Sequence, residues 1–294
     1  GVNPTLSRNC KVRSFIKTQC PRRKILKKSA IYLLILSTKI YSNESIIISA
    51  DRIPVLKENS TSDVQLIKNE DLNWNKSSVE TLKSISGLNI ITSGTNGSNS
   101  SLFLRGTDSS NTLVVLDGIV LNDPSNPNRA FDFSNLANLN IEKIEVLKGS
   151  QALAYGSNAI GGVILIKTKS LKKEGTESQV NVSFGSFDTT QLALSTAKKD
   201  KNKSYGIFIE HDNSDGFSSA DDKTSSNVDI DGYSKKQYSG FFQADLTKDT
   251  QLEIRSHLNI DKNDLDKGGG NGADDPNFNS INQELYSKIQ VIHA

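Results

Sequence analysis

Leu102-Phe103-Leu104-Arg105-Gly106-Thr107 and Thr112-Leu113-Val114-Val115-Leu116-Asp117-Gly118 are the two stretches that decide the fold. Each is an apolar run of strand length that is followed by a charged residue and a glycine. This pattern predicts two neighbouring short strands that end in tight turns. The two stretches therefore indicate a small folded domain in the middle of the chain, with β-strands in its core.

Two further segments follow this pair. Ile141-Glu142-Lys143-Ile144-Glu145-Val146-Leu147-Lys148-Gly149 alternates apolar and charged residues, which predicts a strand that keeps one polar face. Ala154-Tyr155-Gly156-Ser157-Asn158-Ala159-Ile160-Gly161-Gly162-Val163-Ile164 is rich in glycine and predicts a turn that leads into another strand.

These four segments resemble the plug domain of TonB-dependent outer-membrane receptors, in the family's order and with its spacing. The matching phrases are Phe-Leu-Arg-Gly, Val-Leu-Asp-Gly, Ile-Glu-Val-Leu-Lys-Gly and Ala-Tyr-Gly-Ser-Asn-Ala-Ile-Gly-Gly-Val. Four ordered motifs are more specific than any single glycine pattern. Lys148 and Ser150 depart from the family's usual arginine and proline. Because lysine cannot form the bidentate ion pair of arginine, no bidentate pairing is expected at position 148.

The composition excludes some classes of protein and leaves others open. The chain has 294 residues, a hydrophobic fraction of 35% and a net charge of +2. A net charge this small gives no electrostatic case for nucleic acid as a partner. A modest apolar fraction fits a soluble protein, but it fits a transmembrane β-barrel as well, because barrel strands alternate between lipid and lumen.

The N-terminal region, residues 1–42, is predicted to be a pre-sequence and signal peptide. Basic residues at 22–28 precede the apolar run Ser29 to Leu36, and polarity returns at Lys39 and at residues 42–44. This order is typical of a secretory signal and predicts export, in this family to the outer membrane. The alternative is a membrane anchor, although the run is shorter than the ~20 residues that a spanning helix needs. Cys10 and Cys20 both lie in this region, so we expect no structural disulfide.

Residues 43–52 resemble the TonB box and its linker. The segment is rich in β-branched residues and would suit an edge strand. In this family the energy-coupling protein TonB captures such a peptide, and an extended peptide can add to the edge of a partner's sheet. The residues assigned to the TonB box are Glu44, Ser45, Ile46, Ile47, Ile48, Ser49 and Ala50.

Residues 53–172 are predicted to form an α+β plug. Val64–Ile67 and Leu88–Ile91 suit strands, and Val79, Leu82 and Ile85 share one helical face between Ser77 or Ser78 as N-cap and Gly87 as stop. The resemblance implies that two polar loops, residues 92–101 and 122–131, meet the ligand; the alternative is that they are solvated connections. The candidate ligand-binding residues of these loops are Ser93, Asn96, Ser98, Asn99, Asn126, Asn128 and Arg129.

Arg105, Glu145 and Lys148 are charged residues inside or beside apolar strands. Buried charges are costly unless they are paired, so each is expected to have a partner in space. The resemblance implies an ion-paired latch between such plug residues and acidic residues of the barrel wall. The alternative is ordinary solvation at a strand edge.

Residues 173–294 are predicted to form the first strands of a transmembrane β-barrel that contacts outer-membrane lipid. Six segments alternate apolar and polar residues, which is difficult to reconcile with helices. The connections 198–203 and 247–250 are short, whereas 211–236 and 261–283 are long, which is the asymmetry of outer-membrane barrels. Because six strands cannot enclose a plug, we expect a truncated part of a barrel of about 22 strands.

The two long connections are rich in aspartate, and oxygen-rich loops suit calcium. The tentative ligands are Asp221, Asp229, Asp231, Asp264 and Asp266. Cobalamin receptors of the family hold calcium in such loops, so the resemblance extends to that subgroup. The alternative is a solvated acidic surface.

The sequence therefore predicts a TonB-dependent receptor that imports a scarce ligand, with cobalamin or another corrinoid first. The alternatives are an iron-siderophore or haem receptor of the same family and, less favoured, a passive porin-like barrel. His211, His257 and His293 have no metal-ligand spacing and no nucleophile motif is present, so no enzyme is predicted. No covalent cofactor is expected.

Overall fold

The computed structural model describes ten segments of the chain, all of which belong to one compact unit that spans Ser45–Ala294. These segments are residues 46–48, 54–56, 63–72, 78–93, 98–123, 127–136, 140–149, 155–218, 230–265 and 278–293. The predicted signal peptide lies outside them. In these segments, helices are too short or too polar to span a bilayer.

The first described elements are two short strands, β1 (Ile46–Ile48) and β2 (Pro54–Leu56). They pair in antiparallel register, with Ile46 opposite Leu56 and Ile48 opposite Pro54. The middle of the predicted TonB box is therefore extended, as its β-branched residues favour. Its backbone is paired with β2.

The central α+β domain begins with β3 (Asp63–Lys68), α1 (Ser78–Lys83), β4 (Leu88–Thr92) and β5 (Ser100–Leu104). The chain after α1 turns at Gly87, whose φ of +77° suits glycine. The predicted helix and both predicted strands are thus present. β4 and β5 form a separate antiparallel pair that packs with α1 on the core, where Leu82, Leu104 and Ile144 are completely buried.

The main sheet of this domain is built from β3, β6 (Thr112–Leu116), β7 (Ile119–Val120), β8 (Ile141–Lys148) and β9 (Gly162–Thr168). Its order is β3-β8-β9-β6-β7, with β6 and β9 parallel and the other pairs antiparallel. Gly162 lets β9 approach β8 closely, since a Cβ there would lie 2.5 Å from the Leu147 carbonyl oxygen.

Two expectations about these strands are wrong. β5 and β6 follow one another in the chain but lie in different sheets, because β5 pairs with β4 and β6 with β9. β8 does not keep a polar face: Val146 packs in one apolar cluster and Leu147 in the other. It pairs with β3 along one edge and with β9 along the other, and its side chains pack in both apolar clusters, so even Glu145 is buried.

The remaining strands form one six-stranded antiparallel sheet in which each strand pairs with the next. They are β10 (Gly175–Phe184), β11 (Thr190–Asp200), β12 (Lys203–Ser214), β13 (Tyr233–Asp245), β14 (Thr250–Asp264) and β15 (Asn279–His293). The six strands and the alternation of short and long connections are confirmed. The strands are longer than expected, so His211, Lys236 and Asp261 belong to strands rather than to loops.

Candidate plug and barrel-sheet interface

The six-stranded sheet carries its apolar side chains on its outer face. One row across all six strands consists of residues that stand opposite one another: Val180, Leu194, Ile209, Tyr238, Leu258 and Leu285. Val180 is 65% exposed and Leu285 is 68% exposed. Their chain neighbours point the other way and include the buried residues Glu210, Gln237 and His257. A sheet that exposes aliphatic residues and buries charged ones is the inverse of a soluble protein's sheet.

Arg255 connects the sheet to the central domain. It lies on the inner face of β14 with 2% of its side chain exposed, and its Nη1 is 3.5 Å from Oδ2 of Asp117. The same nitrogen donates to Oγ1 of Thr168 at 2.7 Å, and Nε donates to Glu253 at 2.6 Å. Asp117 and Thr168 belong to the central domain, whereas Arg255 and Glu253 belong to the sheet. The contact is therefore a buried, charge-assisted junction between the two parts.

The turn between β6 and β7 presents the Asp117 carboxylate. Asp117 has a φ of +50° and occupies the Val-Leu-Asp-Gly motif. Its Oδ2 accepts from the Thr168 hydroxyl at 2.6 Å and its Oδ1 accepts from the Thr168 backbone N–H at 3.1 Å. Nε2 of His257 lies 3.5 Å from Oδ2. Aspartate tolerates a positive φ better than most residues do, so it can occupy this turn position. Its carboxylate then faces Arg255 of the sheet.

The pKa of the Asp117 carboxyl is lowered from its ordinary value. Burial acts most strongly and would by itself raise this pKa. The contact with His257, the positive charge of Arg255 and the two hydrogen bonds from Thr168 together outweigh burial. Asp117 therefore stays ionised at neutral pH and can hold the Arg255 guanidinium.

A second group of contacts joins the sheet to a 3₁₀ turn of the central domain, Phe133–Asn135. Nζ of Lys235 donates to the carbonyl oxygen of Ser134 at 2.5 Å, and Nε2 of Gln237 donates to that of Asn135 at 2.8 Å. Nearby, Nδ2 of Asn140 donates to the Ser239 hydroxyl at 2.8 Å. Lys235 and Gln237, the two residues that donate to the turn, both lie on β13, so this strand anchors the turn.

The three residues predicted to form a latch have partners within the central domain. Arg105 pairs with Asp63 at 2.7 Å, Glu145 pairs with Lys143 at 2.5 Å, and Nζ of Lys148 donates to the Ser86 carbonyl oxygen at 2.5 Å. A latch role for Arg105, Glu145 and Lys148 stays a prediction. The ion pairs with the sheet have the opposite polarity to the expected ones, since the acid, Asp117, is on the central domain and the base, Arg255, is on the sheet.

Asp117 and Arg255 were not among the residues singled out from the sequence. The sequence predicts only a turn at Asp117, because an Asp-Gly pair after a strand is an ordinary turn signal. One signal could have identified Arg255: it alternates with Ile254 and Ser256 at an inward position of a predicted barrel strand. An arginine on the inner face of the sheet is buried against the plug and therefore requires a carboxylate partner. A single sequence does not show which carboxylate that is.

The candidate ligand-binding residues fall into three groups. Ser93, Asn99, Asn128 and Arg129 are exposed, and the backbone N–H of Ser93 donates to the Asn99 carbonyl oxygen at 3.0 Å, which closes the first loop. Ser98 differs from expectation: it is 5% exposed, and its carbonyl oxygen accepts from the Ser100 hydroxyl. Asn96 and Asn126 lie outside the described residues.

The tentative calcium ligands are only partly described. Asp221, Asp229 and Asp266 lie outside the described residues. Asp231 and Asp264 lie at adjoining ends of β13 and β14, where the backbone N–H of Asp264 donates to the Gly232 carbonyl oxygen at 2.9 Å. Asp264 also pairs with Lys262 at 3.3 Å. In the described segments, histidine, cysteine and acidic residues form no group of three or more that could hold a metal, so calcium stays a prediction.

Comparison with known proteins agrees with this architecture. Residues 56–163 match the family model of the TonB-dependent receptor plug domain. The vitamin B12 transporter BtuB of Vibrio vulnificus (strain YJ016) is 30% identical over 183 residues, which are 61% of this chain and 29% of the transporter. BtuB of Vibrio cholerae is 33% identical over 156 residues, 52% of this chain and 25% of the transporter. The chain thus spans less than a third of the length of these relatives.

Solved structures share the fold at low sequence identity. The siderophore receptor PirA of Acinetobacter baumannii has a TM-score of 0.58 at 22% identity, over 74% of this chain and 34% of the receptor. The ferripyoverdine receptor of Pseudomonas aeruginosa has a TM-score of 0.60 at 16% identity, over 78% of this chain and 29% of the receptor. The predicted fold class, a plug followed by the first strands of a barrel, is confirmed. Residues 56–163 thus match a TonB-dependent receptor plug domain, and about three quarters of the chain shares the fold of part of a plugged receptor barrel.

Proposed function

We propose that this protein is a TonB-dependent receptor of the outer membrane that binds a corrinoid such as cobalamin and imports it into the periplasm. The observation that carries this proposal is the similarity to vitamin B12 transporters, at 30% to 33% identity over 183 and 156 residues. The siderophore receptors share the fold at 22% identity or less and do not bear on the ligand.

The six-stranded sheet, with its apolar outer face and polar inner face, supports a location in the membrane. The outer row from Val180 to Leu285 would face hydrocarbon, and the strands have 10 to 15 residues. A tilted strand needs about 9 to 11 residues to cross a bilayer. The inner face is polar and contacts the plug, as in a barrel whose lumen is filled. Export would depend on the predicted signal peptide.

Energy coupling would begin at the segment 44–50. β1 is extended, and its three residues could pair with the edge of a sheet in TonB as they pair with β2 here. A pull on this segment would reach the plug through β3, and the plug would have to break its junctions with the sheet at Asp117 and at the Phe133–Asn135 turn before a passage opens. TonB is thus the proposed protein partner.

Calcium is a further part of the proposal. Asp231 lies two residues before β13 and Asp264 ends the neighbouring strand β14, at the end where the two long connections begin and end, so ligands from both connections could share an ion. Isothermal titration of the intact protein with calcium, with and without cyanocobalamin, tests this. A calcium-dependent gain in corrinoid affinity supports the site; equal affinity in calcium and in chelator rejects it.

Uptake in cells that lack their own corrinoid receptor tests the main proposal. Cells that express the intact protein are expected to accumulate radiolabelled cyanocobalamin when TonB is present and to bind it without accumulation when TonB is absent. Uptake of ferric siderophore or haem in place of cyanocobalamin would show that the protein is a receptor for iron compounds and not for corrinoids. Accumulation that does not depend on TonB would favour a passive barrel.

A further inference from the structure

A basic patch lies on the outer face of the six-stranded sheet, at the end where the long connections begin and end. It consists of one exposed residue from each of three consecutive strands: His211 on β12, Lys236 on β13 and Lys262 on β14. His211 stands opposite Lys236, and Lys236 stands opposite Ile260, two residues before Lys262. Because side chains alternate along a strand, all three point to the same side as the outer apolar row.

Each member of the basic patch directly adjoins the uncharged part of its strand's outer face. On β14 the outward-facing positions from 252 to 260 carry no charge, and Lys262 is the next outward-facing residue. On β12 and β13 the outward-facing neighbours of the patch are Ile209 and Tyr238, which belong to the outer apolar row. The basic patch therefore marks one edge of the apolar surface.

The basic side chains lie close to one another. On antiparallel strands the Cβ atoms of directly opposite residues, such as His211 and Lys236, are about 5 Å apart, and diagonal neighbours, such as Lys236 and Lys262, are about 7 to 8 Å apart. Like charges in these positions repel. Among the described residues, the Lys236 ammonium has no hydrogen bond or ion pair. Lys262 pairs with Asp264 at 3.3 Å, but their side chains are 54% and 40% exposed, so this pair contributes little. The arrangement favours a shared anion.

The surroundings of the basic patch show which kind of anion fits. Leu192, which is 40% exposed, stands opposite His211, and Ile260 stands opposite Lys236, so apolar side chains lie beside the basic ones on the same face. A lysine ammonium donates charge-assisted hydrogen bonds to phosphate, and an imidazole has an N–H donor in either protonation state. A lipid with a phosphate headgroup satisfies both parts of this surface, because its acyl chains cover the apolar side chains. A soluble phosphate leaves them uncovered.

We propose that His211, Lys236 and Lys262 bind the phosphate headgroup of an anionic lipid in the leaflet next to the long connections, with its acyl chains on the outer apolar row. This inference rests on the proposed function for the statement that the sheet lies in a membrane. The bound phosphate offsets the repulsion among the basic side chains. A lysine near an anionic lipid surface contributes about a factor of five to binding, so the loss of one lysine weakens binding about fivefold.

The test is a titration of the intact protein, extracted from membranes in a nonionic detergent, with lipid A, an acylated disaccharide that carries two phosphates. Native mass spectrometry of the protein measures the fraction with bound lipid and thus the Kd. Lys236→Gln is expected to raise the Kd about fivefold, and Lys236→Arg, which keeps the charge, is expected to leave it near that of the parent protein. The double variant Lys236→Gln and Lys262→Gln is expected to bind more weakly than either single variant.

Lys198→Gln is the matched control for the protein. Lys198 also faces outward and is exposed, but it lies opposite Tyr205 on β11, at the end of the sheet where the short connections are. The Kd for lipid A is expected to be unchanged in this variant. An equal loss of binding in Lys198→Gln and Lys236→Gln would indicate attraction to surface charge in general and would overturn the proposal.

Two ligand controls identify the source of the phosphate. Lipid A without its phosphates is expected to bind the parent protein and the double variant equally, because the difference between them depends on the phosphates. Inorganic phosphate is expected not to displace lipid A from the parent protein. Displacement at a similar concentration would indicate a site for soluble phosphate and would overturn the assignment to a lipid.

Replacement of exposed side chains is not expected to prevent assembly, and if the double variant does not assemble, the two single variants decide. An unchanged Kd in assembled Lys236→Gln and Lys262→Gln overturns the proposal. The titration contains neither corrinoid nor TonB, so its outcome is separate from that of the uptake experiment. If lipid A binds as expected but cyanocobalamin does not accumulate, the proposed ligand is wrong while the lipid site stands. Recovery of the protein without detergent would contradict the membrane location and overturn both proposals.

Discussion

Arg255 and Asp117 form a buried ion pair between the barrel sheet and the plug, with 3.5 Å between Nη1 and Oδ2 and only 2% of either side chain exposed. The Thr168 hydroxyl lies between them, donating to Asp117 and accepting from Arg255. Glu253 and the ring of Phe241 contact the remainder of the guanidinium. The plug is thus joined to the sheet through a polar network that a movement of the plug has to break.

Asp117→Asn is expected to weaken the junction between plug and sheet. The amide keeps the shape of the carboxylate but removes the charge that faces Arg255, and breaking a buried pair costs about 3 kcal/mol. Hydrogen–deuterium exchange of residues 112–120 in the intact protein would measure the loss of protection. Asp108→Asn is the control, because Asp108 is exposed and bonds only its own turn in the described contacts. Equal protection in both variants would contradict the importance of the pair.

The same junction is expected to be insensitive to pH until strongly acidic conditions. Because the folded state lowers the pKa of Asp117 below its ordinary value of 3.8, its contribution is present above that value and is lost as pH falls through the lower pKa of the folded protein. Exchange protection of residues 112–120 should be constant between pH 7 and pH 5 after correction for intrinsic rates. A loss of protection within that window in the parent protein, absent from Asp117→Asn, would show that the sign is wrong.

Leu194→Lys is expected to reduce assembly in the membrane. Leu194 lies in the outer apolar row between Val180 and Ile209, and a lysine facing hydrocarbon near the middle of a bilayer costs about 2 to 4 kcal/mol. Gln191→Lys is the matched control on the same strand, since Gln191 faces inward and bonds Glu210. The amount of heat-modifiable protein in outer-membrane fractions is the measurement. Equal amounts of the two variants would argue against a lipid-facing row.

Arg105→Ala is expected to have little effect on stability and a larger effect on transport. The Arg105 and Asp63 side chains are 47% and 54% exposed, and an exposed pair of this kind contributes about 0 to 1 kcal/mol. If Arg105 has the predicted latch role, cyanocobalamin uptake falls while binding remains nearly intact. The double variant with Asp63→Arg and Arg105→Asp restores the pair and serves as the control. Equal losses of binding and uptake in Arg105→Ala would speak against a latch.

Local patterns in the sequence were sufficient for the elements themselves. Alternation of apolar and polar residues predicts which face of each strand is apolar, because successive side chains point to opposite sides. This alternation and the lengths of the connections were sufficient to predict the outer row from Val180 to Leu285. Glycine and aspartate likewise marked the turns at Gly87 and Asp117, where the backbone φ is positive.

Pairings between distant segments depended on the tertiary structure. A local pattern carries no information about which elements lie beside a strand, so neither the placement of β8 between β3 and β9 nor the packing on both of its faces that buries Glu145 could be predicted. The partners of the charged side chains could not be predicted for the same reason. Arg105 was correctly expected to have a partner, but that partner is Asp63 of the plug.

By itself, then, the sequence determined the plug motifs, the strands, their apolar faces and their turns, because each of these is set by neighbouring residues. Only the tertiary structure decided that Asp117 meets Arg255 and that Lys235 meets Ser134. A charge in a buried position requires an opposite charge or a hydrogen-bond acceptor, but any of several distant residues can supply it. The folded chain selects one of them by bringing its backbone within reach.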